Sequence, residues 1–335
     1  MRQYLDLVRH VLETGVRKPN RTGVDTLSTF GHYYEADLDD GFPLLTTKAV
    51  SWKNIVVEML WFLSGRTDIG ILKRHGCKFW DSWADEHGEV PSAYGSYWRR
   101  FPTPMPSDLA TKGLRANERV KSYSDEPVIF NDQIAWAVDT LRKDPTSRRV
   151  VVSAWAPGNA QTSKLPPCHA MFVCNVQNES VVTHEDVAAG NVPRSFYGGR
   201  FETTRQRLCL HLTQRSCDVA LGVPYNLASY ALLIHLLARF TGLEPGIFGH
   251  SLVDAHIYTS KSDGLQAEYD HVPGLREQLA REPRRLPRLR IDESIRSLAD
   301  VERLMGAEVS TDEIMRLFVL EGYDPAPAIA FKVAV

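Results

Sequence analysis

The run RLCLHLTQRSCDVALGVPYNLASYALLIHLLARF, residues 207–240, decides the fold class. Leu208, Leu210 and Leu212 alternate with polar residues, the period of a strand with one buried face, here Leu208 to Gln214. From Pro224 to Phe240 apolar residues recur on nearly every side, which predicts a helix sunk in the core and opened by Pro224. A polar corner containing Arg215, Ser216, Asp218 and Gly222 joins the two. Such a strand and helix need more sheet and more helices around them.

The flanking sequence supplies both. Upstream, Tyr4, Leu5, Val8, Val11 and Leu12 have helical spacing up to Gly15, and Leu27 to Ala36 reads as a strand. Trp52 to Leu63 is an apolar helix with one acid, Glu58. Residues 74–101 are dense in aromatics, among them Trp80 and Tyr94. A helix from Asp132 to Lys143 precedes a strand from Val150 to Trp155. Further strands run from Pro167-Cys168-His169 to Gln177 and through His256 and Tyr258. Residues 102–127, rich in Pro, Ser and charge, and residues 178–205, polar and Gly-rich, read as surface insertions. With no repeat and no clear linker, the expectation is a single α+β domain over residues 1–335 with those two insertions.

Composition removes several function classes. Lys+Arg 39 against Asp+Glu 41 leaves a net charge of −2, with no bulk attraction to a nucleic-acid polymer or a membrane surface. No run reaches the roughly 18 apolar residues of a membrane span. Five cysteines, an odd number without CxxC or Cys/His metal spacing, argue against a disulfide framework or a metal site. A cytoplasmic setting fits them.

The chemistry must come from local clusters. Cys168 follows Pro166 and Pro167 at the mouth of a strand, where a fixed backbone can present a thiol to a cavity. A nucleophilic thiolate needs positive charge nearby. Taken alone, an intracellular cysteine is more often a small buried hydrophobe. Arg21, Arg148, Arg149 and Arg215 stand at element ends, where guanidinium groups suit phosphate or plain solvated surface. Asp218 and Asn226 flank Gly222-Val-Pro224, where turn and capping chemistry competes with a binding role. Glu58 on an apolar helix face is costly unless it has a partner or a task.

Read together, these residues resemble the thymidylate synthase family over nearly the whole length. The matching segments are 20–23 (NRTG), 41–48 (GFPLLTTK), 58–63 (EMLWFL), 80–85 (WDSWAD), 94–95, 144–149, 167–170 (PCHA), 214–230 and 321–325 (EGYDP). The resemblance implies a large mixed β-sheet flanked by helices and dimerising through its face. It implies folate-dependent one-carbon transfer from 5,10-methylenetetrahydrofolate to C5 of a pyrimidine nucleoside monophosphate, dUMP to dTMP, without a metal. On that pattern Cys168 adds to pyrimidine C6, while Glu58, Tyr94 and His169 organise waters and proton transfers. Arg21, Arg215 and Ser216 hold the phosphate, with Arg148 and Arg149 donated in trans by the second subunit of a homodimer. Asn226 reads the base, and His256 and Tyr258 bind the sugar. Asp218, Trp80, Lys48, Gly222 and Val335 serve the reduced folate.

Two stretches depart from the family pattern. Glu89-Val-Pro-Ser-Ala precedes Tyr94 in place of a Gly-Pro pair, and Ser251-Leu-Val-Asp-Ala255 replaces a Gly-rich approach to His256. Two alternatives accompany the resemblance. One is a pyrimidine nucleotide 5-hydroxymethylase acting on CMP, dCMP or dUMP, as in nucleoside-antibiotic pathways. The other is a non-catalytic nucleotide- or RNA-binding relative. Asn226 favours uracil, although a side-chain amide can be turned to read either base.

Overall fold

The structure, a computed structural model, describes residues 1–20, 22–103, 118–122, 127–160, 163–180 and 204–333. Its centre is a mixed sheet of seven strands. The strands are β1 (Val16–Lys18), β2 (Asp25–Asp37), β6 (Val151–Ser153), β7 (His169–Ser180), β8 (Thr204–Gln214), β9 (Cys217–Asp218) and β10 (Glu244–Thr259). The order is β1-β2-β10-β8-β7-β6, with β9 continuing beside β10. β10 runs parallel to β8 and β9, and the other pairs are antiparallel. Three strands, β3 (Phe101–Thr103), β4 (Glu118–Ser122) and β5 (Pro127–Asn131), form a small separate sheet, and β11 (Arg288–Ile291) and β12 (Phe318–Glu321) form an antiparallel pair.

The alternation of Leu208, Leu210 and Leu212 puts all three inward, and each is at most 1% exposed. Helix α6 (Gly222–Thr241) lies against that face, and its apolar residues are buried on nearly every side. The expected helix therefore exists but starts two residues before Pro224. Asp218 explains the early start: its carboxylate accepts from the N–H groups of Ala220 at 2.9 Å and Leu221 at 3.1 Å, ordering the turn into the helix. Helix α1 (Arg2–Thr14) is tied to the same corner by the Tyr4 hydroxyl, which donates to the Val219 carbonyl at 3.1 Å.

Helices α2 (Trp52–Ser64), α3 (Gly70–Arg74), α4 (Tyr94–Arg100) and α5 (Gln133–Lys143) complete the inner layer. Gly95 lets α4 approach α2 closely, because a Cβ there would lie 2.4 Å from the Phe62 carbonyl oxygen. That contact sets Tyr94 beside Glu58. Two expectations about the strands need correction. The strand expected over 150–155 spans only Val151–Ser153, since the N–H groups of Ala154 and Trp155 both turn to the Ala170 carbonyl. The segments read as insertions are partly sheet: Ser180 pairs with Thr204 across β7 and β8, and 102–127 contributes to the small sheet. Residues 104–117, 123–126 and 181–203 lie outside the described residues.

Candidate active site

The carboxyl ends of β8 and β10, the start of β7 and the first turn of α6 converge on two adjoining cavities, and Cys168 lines both. The peptide run before Cys168 is clamped by Arg215. Its guanidinium donates to the carbonyls of Pro167 at 2.9 Å and Pro166 at 2.7 Å and reaches the Cys168 Sγ at 3.8 Å. The Cys168 carbonyl in turn accepts from the Arg215 N–H at 2.9 Å. A guanidinium held at that distance favours negative charge on the sulfur, which nucleophilic attack requires.

The first cavity, about 310 Å³, has aromatic walls of Phe62, Phe79, Trp80, Trp83 and Tyr94. Glu58, on the face of α2, points into it and accepts a hydrogen bond from the Trp80 indole N–H at 2.7 Å. Burial pushes the Glu58 carboxyl up to about 7, against the opposing pull of that indole donor. The Tyr94 hydroxyl accepts from the N–H groups of Cys168 at 3.1 Å and His169 at 3.4 Å. The Tyr94 and His169 rings stack at 4.4 Å and 9°. Burial lowers His169 to about 3, so this imidazole is neutral near pH 7 and acts as a hydrogen-bonding group. Asn226, Asp218 and Gly222 form the side of this cavity nearest α6.

The second cavity, about 550 Å³, is polar. Arg215, Ser216, His256 and Tyr258, all expected at the nucleotide, line it. So do Lys18, Thr22, Ser163, Lys164 and Asp254, which sequence reasoning did not single out. Asp254 lies in the stretch that departs from the family pattern. Its carboxylate accepts from Lys18 Nζ at 2.5 Å and Ser28 Oγ at 2.8 Å and stands 3.3 Å from His256 Nδ1. Burial pushes this carboxyl up, but the hydrogen bonds from His256, Lys18 and Ser28 outweigh it and hold the group well below the usual range. The signal was available for Asp254, an acid set between Val253 and Ala255 on a strand.

Of the expected site residues, Cys168, Glu58, Tyr94, His169, Asn226, Asp218, Trp80, Gly222, Arg215, Ser216, His256 and Tyr258 come together here. Lys48 does not line either cavity. It is buried, donates to the Ala220 carbonyl at 2.5 Å and lies over the Phe331 ring at 4.6 Å; burial lowers it to about 8. Arg148 and Arg149 are exposed and line neither cavity of their own chain. Arg21 and Val335 lie outside the described residues.

The sequence model of the family described as "Thymidylate synthase" matches residues 2–335. A curated relative from Haloferax volcanii, named thymidylate synthase, is 39% identical, over 98% of this chain and 95% of its own length.

Proposed function

Since the chain belongs to the thymidylate synthase family and is a one-carbon transferase acting on a pyrimidine nucleotide, we propose that it methylates dUMP to dTMP, with 5,10-methylenetetrahydrofolate as cosubstrate. One observation carries the residue assignment: the Cys168 thiol lies where an aromatic, acid-bearing cavity meets a basic one, with a guanidinium 3.8 Å from its sulfur. The phosphate and sugar occupy the basic side, held by Arg215, Ser216, His256 and Tyr258. The base and the folate share the aromatic side.

The cosubstrate supplies the carbon and the hydride and leaves as dihydrofolate. Cys168 adds to C6 of the base, and the electron pair of the C5–C6 double bond moves towards C5 and O4. Asn226 donates to that oxygen as its charge grows. C5 bonds to the transferred carbon and then loses its proton through water held by Glu58 and Tyr94. A carboxyl poised near 7 suits both taking and returning a proton. Expulsion of the Cys168 thiolate restores the ring as the methyl group is completed. Trp80 and its aromatic neighbours keep water from the transferred carbon.

Incubation with the folate and each of dUMP, dCMP, UMP and CMP tests the reading. Dihydrofolate absorbance and a product heavier by one CH2 should appear with dUMP. A product carrying CH2OH without dihydrofolate would establish a hydroxymethylase instead.

The same reading has the protein act as a homodimer. The sheet face away from α6 leaves Tyr33 49%, Met171 41% and Val151 39% exposed, a patch that suits burial by a second copy. Arg148 and Arg149 would then reach the partner's phosphate. Subunits carrying Cys168→Ala, inactive alone, should regain activity when exchanged with inactive Arg148→Ala/Arg149→Ala subunits, because one site per heterodimer is intact. No recovery after demonstrated exchange would remove the in-trans role.

A further inference from the structure

Behind Asn226 a chain of buried hydrogen bonds runs away from the cavity along the α6-covered face of the sheet to β2. Gln214 Nε2 donates to the Ser216 carbonyl at 3.0 Å and to Asn226 Oδ1 at 3.0 Å. Gln214 Oε1 meets His250 Nε2 at 2.9 Å, and His250 Nδ1 meets the Tyr34 hydroxyl at 2.7 Å. Gln214 is 3% exposed, His250 0% and Tyr34 6%. Tyr34 on β2 and His250 on β10 are direct cross-strand partners.

The sense of every bond in this chain follows from one peptide group. The Ser216 carbonyl can only accept, so the Gln214 atom beside it is the nitrogen. That nitrogen also donates to Asn226, so the Asn226 atom facing it is the oxygen. Gln214 must then present its own oxygen to His250, whose Nε2 carries the proton. Burial keeps this imidazole neutral, which leaves Nδ1 bare to accept from Tyr34. Turning the Asn226 amide would set donor against donor in a buried place and lose a hydrogen bond.

With this order fixed, Asn226 has an oxygen for a ring N3–H and a nitrogen for a 4-oxo group, the pattern of uracil. Cytosine, with a bare N3 and a 4-amino group, requires the opposite order. We propose that Tyr34 and His250, which line neither cavity, are positioning residues for base selectivity: through Gln214 they hold the Asn226 amide in the orientation that reads uracil. This rests on the reading of Asn226 as the base-contacting residue given above.

The test is the ratio of dissociation constants for dCMP and dUMP, measured by equilibrium binding, together with kcat and KM for dUMP. His250→Phe removes the donor to Gln214 and should lower the ratio about tenfold. Tyr34→Phe removes one hydroxyl and should lower it about threefold, the range of a single net hydrogen bond. His250→Gln keeps an N–H towards Gln214 and should restore most of the preference. Ratios within twofold of wild type in both Phe variants, or equal weakening of both nucleotides, would overturn the proposal. Should His250→Phe fail to fold, Tyr34→Phe alone decides. A wild-type protein that binds dCMP more tightly than dUMP would overturn the functional reading first and this proposal with it.

Discussion

Glu58 and Asp254 stand in the two cavities that share Cys168, and their environments act on them in opposite directions. Glu58 sits among rings, with Phe62 and Tyr94 centroids 5.1 Å apart and Trp80 and Tyr94 5.9 Å apart. Among the described residues its hydrogen-bond donor is the Trp80 indole, too little to offset burial, so its carboxyl rises to about 7. Asp254 has a lysine, a serine and a histidine around it and is held ionised far below the ordinary range. The difference separates two uses of a carboxylate. On the aromatic side the group can gain and lose a proton near neutral pH, which a proton relay needs. On the polar side it is a fixed charge that pins Lys18 and His256 to the cavity wall. Burial raises both, and the donors and charges gathered around Asp254, against the single indole at Glu58, distinguish the two.

Cys168 belongs to both halves, and its removal is the largest expected effect. Cys168→Ala should cut turnover by about 10⁴-fold or more while nucleotide binding, carried by the polar half, persists. Mass spectrometry with 5-fluoro-dUMP and the folate should show a ternary adduct on Cys168 in wild type and none in the variant. An adduct mapped to another residue would sink the assignment.

The next contrast sets the two acids against each other. Glu58→Gln should lower kcat by about 10²–10⁴-fold with a small change in KM, the range of a lost general acid–base group. Its effect on stability should have the opposite sign from that of Asp254→Asn. The Glu58 carboxyl rises from 4.5 to about 7 on folding, so the native state holds an extra proton between those values. Wild-type stability is therefore lost as pH rises through that window, and above pH 7 Glu58→Gln should be the more stable protein, by about 3 kcal/mol. The gain should vanish below pH 4.5. Asp254 is depressed, so its contribution is present above its ordinary 3.8 and lost as pH falls through its lower native value. Asp254→Asn should be destabilised at pH 7 and approach wild type only in strong acid. Denaturant midpoints across pH 3–9 decide both. Like-signed effects would show that the two sites do not differ as described.

Much of this was legible before the fold was known, for physical reasons that also mark where legibility ends. The leucines of β8 and the all-round apolar pattern of α6 announce themselves because burial imposes a period on adjacent residues. Glu58 stands out because a single acid on an apolar face has no local excuse. Cys168 could be flagged from its prolines, yet its charge partner Arg215 is 47 residues away and becomes visible only when β7 and β8 pair. Tyr34 and His250 are 216 residues apart, and strand alternation says only that each points inward, not that they meet. Lys48 shows the converse case. Its motif is intact, but its ammonium turns to a backbone carbonyl behind the cavity wall. Asp218 serves the turn into α6 and also lines the first cavity, so neither of its competing readings excludes the other.

The smallest expected effect tests whether the aromatic wall does more than exclude water. Trp80 packs at the centre of that wall, 5.5 Å from Trp61 and 5.9 Å from Phe62, and its indole N–H donates to Glu58. A donor to the carboxylate favours its ionised form and so restrains the upward push of burial. Trp80→Phe keeps an apolar ring in place but removes that donor. The Glu58 carboxyl should then rise above its wild-type position near 7, moving the acidic limb of the kcat profile to higher pH by up to about one unit. At pH 7 a larger fraction of Glu58 is protonated, and kcat should fall several-fold while recovering towards wild type at pH 8.5. A wall that acted only by keeping the cavity dry would give a different result. The profile would keep its shape, and the loss would appear at every pH as folate turned over without a methylated product. Measuring kcat from pH 5.5 to 9 beside the ratio of methylenetetrahydrofolate consumed to dTMP formed separates the two. An unmoved limb with that ratio at unity would show that the Trp80–Glu58 hydrogen bond sets neither the proton relay nor the seal.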